Sequence, residues 1–107
     1  MAKFVKIIVF VPVKDAGKIR KVLADNGAGK LGDYSRTSFS FKGKGRFKPE
    51  KGAHPSVGEV GKSEVTSEER IEVIAPSKKY LEIVEKVKQA HPYEEPAIEV
   101  YELLYPS

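Results

Sequence analysis

The residues whose types could do chemistry are concentrated in one short segment, His91-Pro-Tyr-Glu-Glu-Pro96. An imidazole beside carboxylates could transfer protons or bind a metal ion, and a tyrosine hydroxyl could donate a hydrogen bond. Glu94 and Glu95 are adjacent, so in an extended segment they point to opposite sides and cannot share a proton. The two prolines end a helix and fix the backbone. The segment therefore either lines a cleft between subunits or forms a stiff connector with Tyr93 packed on the core.

The chain has two histidines and no cysteine, which limits where a metal ion could bind. His54 lies in a segment from Pro49 to Lys62 that is punctuated by glycine and proline. A metal site would need one or both histidines together with carboxylates, yet neither has a metal-ligand spacing within a helix. We therefore predict no catalytic residue, no metal site and no cofactor, with a divalent-metal-binding protein that uses His54, His91 and a glutamate as the alternative. The predicted ligand or interface residues are His91, Pro92, Tyr93, Glu94, Glu95, Pro96, Gly52, His54, Pro55, Gly58 and Gly61.

Two glycine-rich segments resemble phosphate-binding motifs in spelling. Gly27-Ala-Gly29-Lys-Leu-Gly32 has the spacing of a dinucleotide fingerprint, and Ser56-Val-Gly-Glu-Val-Gly-Lys-Ser63 is close to a P-loop. Both motifs require a strand before them and a helix after them. The first segment instead follows a predicted helix, and the second lies between two predicted strands. We interpret the first as a helix C-cap and loop, and the second as a loop that could bind an anion without hydrolysing it.

The basic segment Lys42-Gly-Lys-Gly-Arg-Phe47 resembles the aromatic strand signature of RNA-recognition motifs. Lys44 and Arg46 occupy the positions where that signature has stacking aromatic residues, so a basic strand edge is the better interpretation. The net charge of +4 is mild, with both signs interspersed. A nucleic-acid partner is therefore not expected, and a weak nucleic-acid-binding module is the remaining alternative.

Hydrophobic periodicity indicates two strand–helix–strand units. Period-two or continuous apolar patterns predict strands at 4–11, 34–48, 70–75 and 97–105, and helical spacing follows Asp15 and Ser77, the latter a predicted N-cap. The pattern Val9-Phe-Val-Pro12 is matched by Val73-Ile-Ala-Pro76, each before a helix. Two such units interleave into an α+β ferredoxin-like βαββαβ plait, a four-stranded antiparallel sheet with two helices on one face and the first and third strands in the middle. We predict a single domain over residues 1–107.

The sheet face without helices is predicted to be apolar, which has a consequence for assembly. Both faces of these strands carry apolar residues: in the first strand, Val5, Ile7, Val9 and Val11 lie opposite Phe4, Ile8 and Phe10, and in the last, Ile98, Val100 and Leu104 lie opposite Tyr101, Leu103 and Tyr105. A continuous apolar face is too large for a monomer, so we expect a homo-oligomer, unless the loop before the third strand or the C-terminal segment covers it. The apolar run from Ile7 to Val11 is too short to cross a membrane, and the lack of cysteine favours the cytoplasm.

Motifs along nearly the whole chain resemble a known family. They are His91-Pro-Tyr-Glu-Glu-Pro96, Gly27-Ala-Gly29 with Gly32-Asp-Tyr34, Ser38-Phe-Ser40, Gly43-x-Gly45-x-Phe47-x-Pro49, and Gly52-Ala-His-Pro55 with Gly58-Glu-Val-Gly61. The sequence resembles the YqfO-type domain, which is inserted into larger Nif-three-like (NGG1p-interacting-factor) proteins and also occurs as a stand-alone chain.

The resemblance implies a fold, an assembly and a role. The family's domain is similar to the PII signalling proteins and to CutA, which form trimers, and CutA has a similar His-Pro-Tyr-Glu stretch at the corresponding junction. The larger relatives hold a two-metal centre outside this domain, so their metal-dependent hydrolase activity is not expected of this chain. We therefore expect a small trimeric binding or regulatory module, not an enzyme, with clefts lined by residues 52–61 and 91–96.

Overall fold

The computed structural model describes residues 2–107 and contains one four-stranded antiparallel sheet and two α-helices. The elements are β1 (Phe4–Pro12), α1 (Ala16–Asp25), β2 (Phe39–Phe47), β3 (Glu64–Pro76), α2 (Tyr80–Ala90) and β4 (Ile98–Leu103). The strand order is β2-β3-β1-β4, with every neighbouring pair antiparallel. The predicted α+β plait is confirmed, with β1 and β3 in the middle. Within the described residues, neither helix is long and apolar enough to span a bilayer.

The core lies between the helices and one face of the sheet. Alternate residues of β1 and β3 are buried on this face because successive strand side chains point to opposite sides. The central buried side chains are Val5, Ile7, Val9 and Val11 of β1, Ile71, Val73 and Ala75 of β3, Ile19 and Leu23 of α1, and Ile83 and Val87 of α2. Each large aliphatic side chain stabilises the fold by about 2 kcal/mol through burial. Both helices therefore pack on the same face, as predicted.

Each helix follows a proline and a short 3-10 turn. These turns are Val13–Asp15 before α1 and Ser77–Lys79 before α2. The prediction that Ser77 caps α2 is wrong, because its side chain makes no capping bond. Its hydroxyl instead donates to the carbonyl oxygen of Ala2, and its backbone N–H donates to the carbonyl oxygen of Lys3 at 2.8 Å. Ser77 thus connects the start of α2 to the N-terminal end of β1.

The predicted glycine loop after α1 is confirmed as a helix C-terminus. The N–H of Ala28 donates to the carbonyl oxygen of Leu23 at 3.0 Å, and Gly27 has a φ of +97°. This is the left-handed conformation that ends helices and that glycine adopts most readily. The N–H of Gly29 then donates to the carbonyl oxygen of Ile74 at 2.7 Å, which attaches the loop to β3.

Three strand boundaries differ from the predicted ones. β2 starts at Phe39 instead of residue 34, because Leu31 and Tyr34 pair with each other in a tight turn and Arg36 has a φ of +60°. β3 starts at Glu64 instead of residue 70, because residues 64–69 pair with β2 despite their polar sequence. β4 covers Ile98–Leu103, which is shorter than predicted. The β2–β3 loop is therefore confined to residues 48–63.

The sheet face opposite the helices, here called the open face, is mixed in character. Lys6 Nζ lies 4.0 Å from Glu72 Oε1, and Arg70 Nε donates to Glu72 Oε2 at 2.9 Å, so charged side chains cross its middle. The prediction of a continuous apolar face is therefore wrong. Phe39 and Phe41 on the same face are nonetheless 66% and 49% exposed. The open face is thus amphipathic, with an aromatic edge on β2.

Candidate functional site

Two segments that are distant in sequence meet over one end of the open face. They are the β2–β3 loop (residues 48–63) and the connector between α2 and β4 (residues 91–97). Together with the end of the sheet they border an open cavity of about 420 Å³, here called the cleft. Its lining is predominantly apolar and aromatic, with a few charged side chains. The lining residues are Phe10, Gly45, Arg46, Phe47, Lys48, Pro49, Ala53, Pro55, Ser56, Val57, Glu68, Tyr93, Glu94, Glu95 and Ala97.

His91 fixes the connector to the sheet. Its side chain is buried, with 7% exposure, and its Nε2 lies 2.7 Å from the carbonyl oxygen of Phe10 in β1. Its Nδ1 accepts the backbone N–H of Tyr93 at 3.1 Å. Because Nδ1 accepts a hydrogen bond, these contacts specify the tautomer that carries its proton on Nε2. Both ring nitrogens are therefore used within the protein.

The side chain of Tyr93 attaches the connector to β3 by a hydrogen bond. Its hydroxyl donates to Glu68 Oε2 at 2.9 Å and lies 3.3 Å from Thr66 Oγ1. Its ring centroid is 5.9 Å from that of Phe47 and 5.1 Å from that of His91. Burial raises the pKa of the Tyr93 hydroxyl above its usual value, and the neighbouring Glu68 carboxylate raises it further. The neutral phenol is thus the favoured form and acts as a donor in the cleft.

Glu68 occupies space that a glycine leaves open. Its Oε2 accepts hydrogen bonds from Tyr93 and, at 2.9 Å, from Thr66 Oγ1. A methyl group added to Gly45, on the adjacent strand β2, would overlap the Glu68 carboxylate. Gly43, two residues earlier on the same face, has open space instead. The position of Glu68 in the cleft therefore depends on the missing side chain of Gly45.

One hydrogen bond joins the β2–β3 loop to the connector. The backbone N–H of His54 donates to Glu94 Oε1 at 2.9 Å. The loop is also closed at its base, where the N–H of Gly61 donates to the carbonyl oxygen of Pro49 at 2.7 Å. The structure thus brings the two predicted segments together, although it is the backbone of His54 and not its ring that makes the contact.

Some of the predicted site residues line the cleft, and the others belong to the two segments around it without lining it. Pro55, Tyr93, Glu94 and Glu95 line it. His91, Pro92 and Pro96 belong to the connector without lining the cavity, and the His54 side chain is exposed. Gly52, Gly58 and Gly61 have positive φ angles of 101°, 85° and 85° and act as turn residues of the loop.

The sequence prediction did not include the sheet residues that form the floor of the cleft. These are Phe10 of β1, Gly45 and Phe47 of β2, and Glu68 of β3. The alternation of Gly43, Gly45 and Phe47 was a usable signal, since it places these residues on one face. Glu68 could not be placed because residues 64–69 lie outside the predicted third strand, so their pairing with β2 was missed.

The geometry bears on the alternative of a metal site at His54 and His91. In residues 2–107, no three His, Asp or Glu side chains are grouped as metal ligands would be. His91 would have to give up a hydrogen bond to Phe10 or Tyr93 before it could coordinate a metal ion. No observation therefore favours a metal at these histidines.

Comparisons with known proteins identify relatives over nearly the whole chain. The chain is 40% identical over 101 residues to a "GTP cyclohydrolase 1 type 2 homolog" of Mycobacterium tuberculosis. The matched region covers 94% of this chain and 27% of that protein. A homologue of the same name in Bacillus subtilis is 40% identical over 96 residues, which are 90% of this chain and 26% of that protein. No protein-family model matches the chain.

A solved structure agrees with these relatives. A Bacillus cereus protein related to NIF3 is 41% identical, with a TM-score of 0.83, over 96% of this chain and 26% of that chain. The chain is homologous to one segment of the NIF3-related proteins. It spans about a quarter of the length of the curated relatives that it matches. The resemblance predicted from the sequence motifs is thereby confirmed.

The fold of this NIF3-related segment also occurs in a separate group of small proteins. The periplasmic divalent cation tolerance protein CutA from Archaeoglobus fulgidus superimposes with a TM-score of 0.72, over 97% of this chain and 87% of that chain. The identity is 24%, so this likeness shows a shared fold.

Proposed function

We propose that this chain is a small-molecule-binding or regulatory module and that the cleft is its binding site. The observation that carries the proposal is a cavity of about 420 Å³ bordered by two segments that are joined through His54 and Glu94. Ligand sites in proteins typically have volumes of about 300–1,000 Å³ and a mainly apolar lining with a few polar groups. The cleft has both properties.

The module binds and does not catalyse in this proposal. The relatives named as GTP cyclohydrolase homologues are nearly four times as long as the matched segment, so their name describes a larger protein. In the cleft, the carboxylate of Glu68 accepts hydrogen bonds from Tyr93 and Thr66, and the His91 ring is held by backbone groups. These contacts support a positioning role for the polar groups of the site.

We propose that the module is a homo-oligomer, with a trimer as the favoured state, and that residues 1–107 act as a single domain in the cytoplasm. The support for self-association is the exposed aromatic edge formed by Phe39 and Phe41, whose rings lie 6.1 Å apart on β2. The support for a reducing compartment is the cysteine-free sequence.

Binding at the cleft is tested by mapping backbone amide shifts in nuclear magnetic resonance spectra. The probes are three compounds with one ring and different charges: benzyl alcohol, benzoate and benzyltrimethylammonium. We expect at least one probe to shift the amides of residues 48–63 and 91–97 saturably. The variant Ala53→Trp, which adds bulk to the lining, should abolish these shifts, and Leu81→Trp, on an exposed position of α2, should retain them.

Two results would contradict the proposal. One is that none of the three probes shifts these amides at millimolar concentration. The other is that Ala53→Trp retains the shifts unchanged, because binding would then occur elsewhere on the surface.

A further inference from the structure

We propose that the cleft selects an organic cation, a ligand that carries an amine, ammonium or guanidine group on a small apolar or aromatic body. This inference rests on the proposed function and specifies the ligand class of the same site. Three features of the described residues support it: a carboxylate that lacks a cationic partner, aromatic walls beside it, and a glycine that makes room for it.

Glu68 differs from the neighbouring acids of β3 in its partners. Glu69 pairs with Arg20, and Glu72 pairs with Lys6 and Arg70. In the described part of the chain, no lysine, arginine or histidine nitrogen lies within 4.0 Å of the Glu68 carboxylate. Its partners are two neutral hydroxyl groups, which hold the carboxylate in place and leave its charge uncompensated. A partly buried carboxylate of this kind favours a cationic partner.

The walls next to Glu68 are aromatic. The ring centroids of Phe47 and Tyr93 are 5.9 Å apart, and the two ring planes are tilted by 51°. Phe10 lines the same cavity. The face of an aromatic ring attracts a cation within about 6 Å, by about 0.5–2 kcal/mol depending on exposure. The same face of the sheet already shows this contact, since the guanidinium of Arg70 lies 5.4 Å from the centroid of Phe10. An ammonium group beside Phe47 and Tyr93 would therefore be stabilised by these two rings and by Glu68.

The basic residues of the lining do not neutralise this site. Arg46 lies between Gly45 and Phe47 in β2, so its side chain leaves the strand on the opposite face. Lys48 Nζ lies 3.8 Å from Glu50 Oε1, so it has a carboxylate of its own. Glu94 and Glu95 add negative charge at the exposed side of the cleft. The local charge thus favours a cationic ligand over an anionic one.

A bare divalent metal ion fits this site less well than an organic cation. Hard divalent ions take about six to eight oxygen ligands when they bind to proteins, or keep several waters. No group of three metal-ligating side chains occurs in residues 2–107, and Glu68 stands among aromatic rings. Aromatic walls are typical of sites that recognise ammonium groups.

Charge selectivity is tested by titrating the same three probes into the full chain and into Glu68→Gln. Because the cation gains the carboxylate and the rings, we expect benzyltrimethylammonium to bind about tenfold more tightly than benzyl alcohol, with benzoate weakest. Glu68→Gln keeps an acceptor for Tyr93 and Thr66 and should reduce the affinity for the cation about tenfold, leaving that for benzyl alcohol within about twofold. The control Glu59→Gln, at an exposed loop residue paired with Lys62, should change neither affinity.

A second pair of variants tests the site without removing the carboxylate. Gly45→Ala should displace Glu68 and reduce the preference for the cation over benzyl alcohol, whereas Gly43→Ala, which enters open space, should preserve it. Equal affinities of the wild type for the cation and benzyl alcohol would overturn the inference and leave the proposed function standing. An unchanged affinity of Glu68→Gln for the cation would also overturn it. If no probe binds, the proposed function fails as well.

Discussion

The hydroxyl of Tyr93 donates a 2.9 Å hydrogen bond to Glu68 Oε2, which joins the connector after α2 to the edge-paired half of β3. Further hydrogen bonds hold the connector, among them one from the N–H of Phe10 to the carbonyl oxygen of Ala97 at 3.2 Å. The ring of His91 contacts the carbonyl oxygen of Phe10 in β1, and Glu94 accepts the N–H of His54 from the β2–β3 loop. The connector, which lines the cleft, therefore contacts β1, β3 and the β2–β3 loop.

The bond between Tyr93 and Glu68 predicts a loss of stability at alkaline pH. The folded protein has a raised pKa for Tyr93, because burial and Glu68 disfavour the phenolate. The folded state therefore binds the Tyr93 proton more tightly than the unfolded chain does. The resulting contribution to the free energy of unfolding is fully present below the usual tyrosine pKa of about 10 and is lost as pH rises through the folded-state value. Chemical denaturation of the wild type and Tyr93→Phe between neutral and alkaline pH measures this.

The variant Tyr93→Phe should be less stable by about 1 kcal/mol at neutral pH, because one hydrogen bond to a carboxylate is lost. It should lose less stability than the wild type on going to alkaline pH. Tyr34→Phe is the control, since that side chain is 74% exposed and should leave the pH profile unchanged. Identical profiles for the wild type and Tyr93→Phe would contradict the prediction.

Replacing His91 should lower the free energy of unfolding much more than replacing His54. Replacement by alanine leaves the carbonyl oxygen of Phe10 and the N–H of Tyr93 without these partners and removes a buried ring, which we expect to cost about 2–3 kcal/mol. His54→Ala removes an exposed ring and keeps the backbone bond to Glu94, so it should change stability by less than about 0.5 kcal/mol. Urea denaturation of both variants provides the measurement, and equal stabilities would refute it.

The fold could be predicted from the sequence because its central strands carry strong local signals. The β-branched residues of Phe4–Pro12, together with the repeated strand–proline–helix pattern, fixed the order of elements. The signal fails where pairing is set by a neighbour instead of by hydrophobicity. At the mostly polar start of β3, residues 64–67 pair only with the edge strand β2, so no run of apolar side chains marks them as strand.

The connector side of the candidate site was predicted from local sequence signals, and the sheet side was not. The connector at 91–96 is visible in the sequence because its prolines restrict the backbone locally. The floor of the cleft is formed by Phe10, Gly45, Phe47 and Glu68, whose proximity depends on strand register, and register is a tertiary property. The charged pair across the open face between Lys6 of β1 and Glu72 of β3 was missed for this reason too.

The glycine loop after α1 predicts a large difference between two alanine substitutions. Gly29 has a φ of +87°, and a methyl group there would lie 2.5 Å from the carbonyl oxygen of Thr37. Gly32 has a φ of +57° with no atom within 4 Å of such a methyl group. Gly29→Ala should therefore cost about 3 kcal/mol from strain and overlap, and Gly32→Ala about 1 kcal/mol from strain alone. Thermal unfolding that ranks the two variants equally would refute this account of the loop.

The aromatic edge of the open face predicts how self-association responds to charge. Phe41 is 49% exposed on β2 beside the more exposed Phe39, and burial of such rings between copies is the expected driving force for assembly. Phe41→Glu should therefore shift the protein from oligomer to monomer in sedimentation equilibrium, because a carboxylate buried between copies loses its hydration, which opposes association. Leu81→Glu is the matched control: Leu81 is 67% exposed on α2, away from the open face, so its replacement should leave the oligomer intact. A monomeric wild type at micromolar concentration would contradict self-association. An oligomer that survives Phe41→Glu and dissociates with Leu81→Glu would assign assembly to another surface.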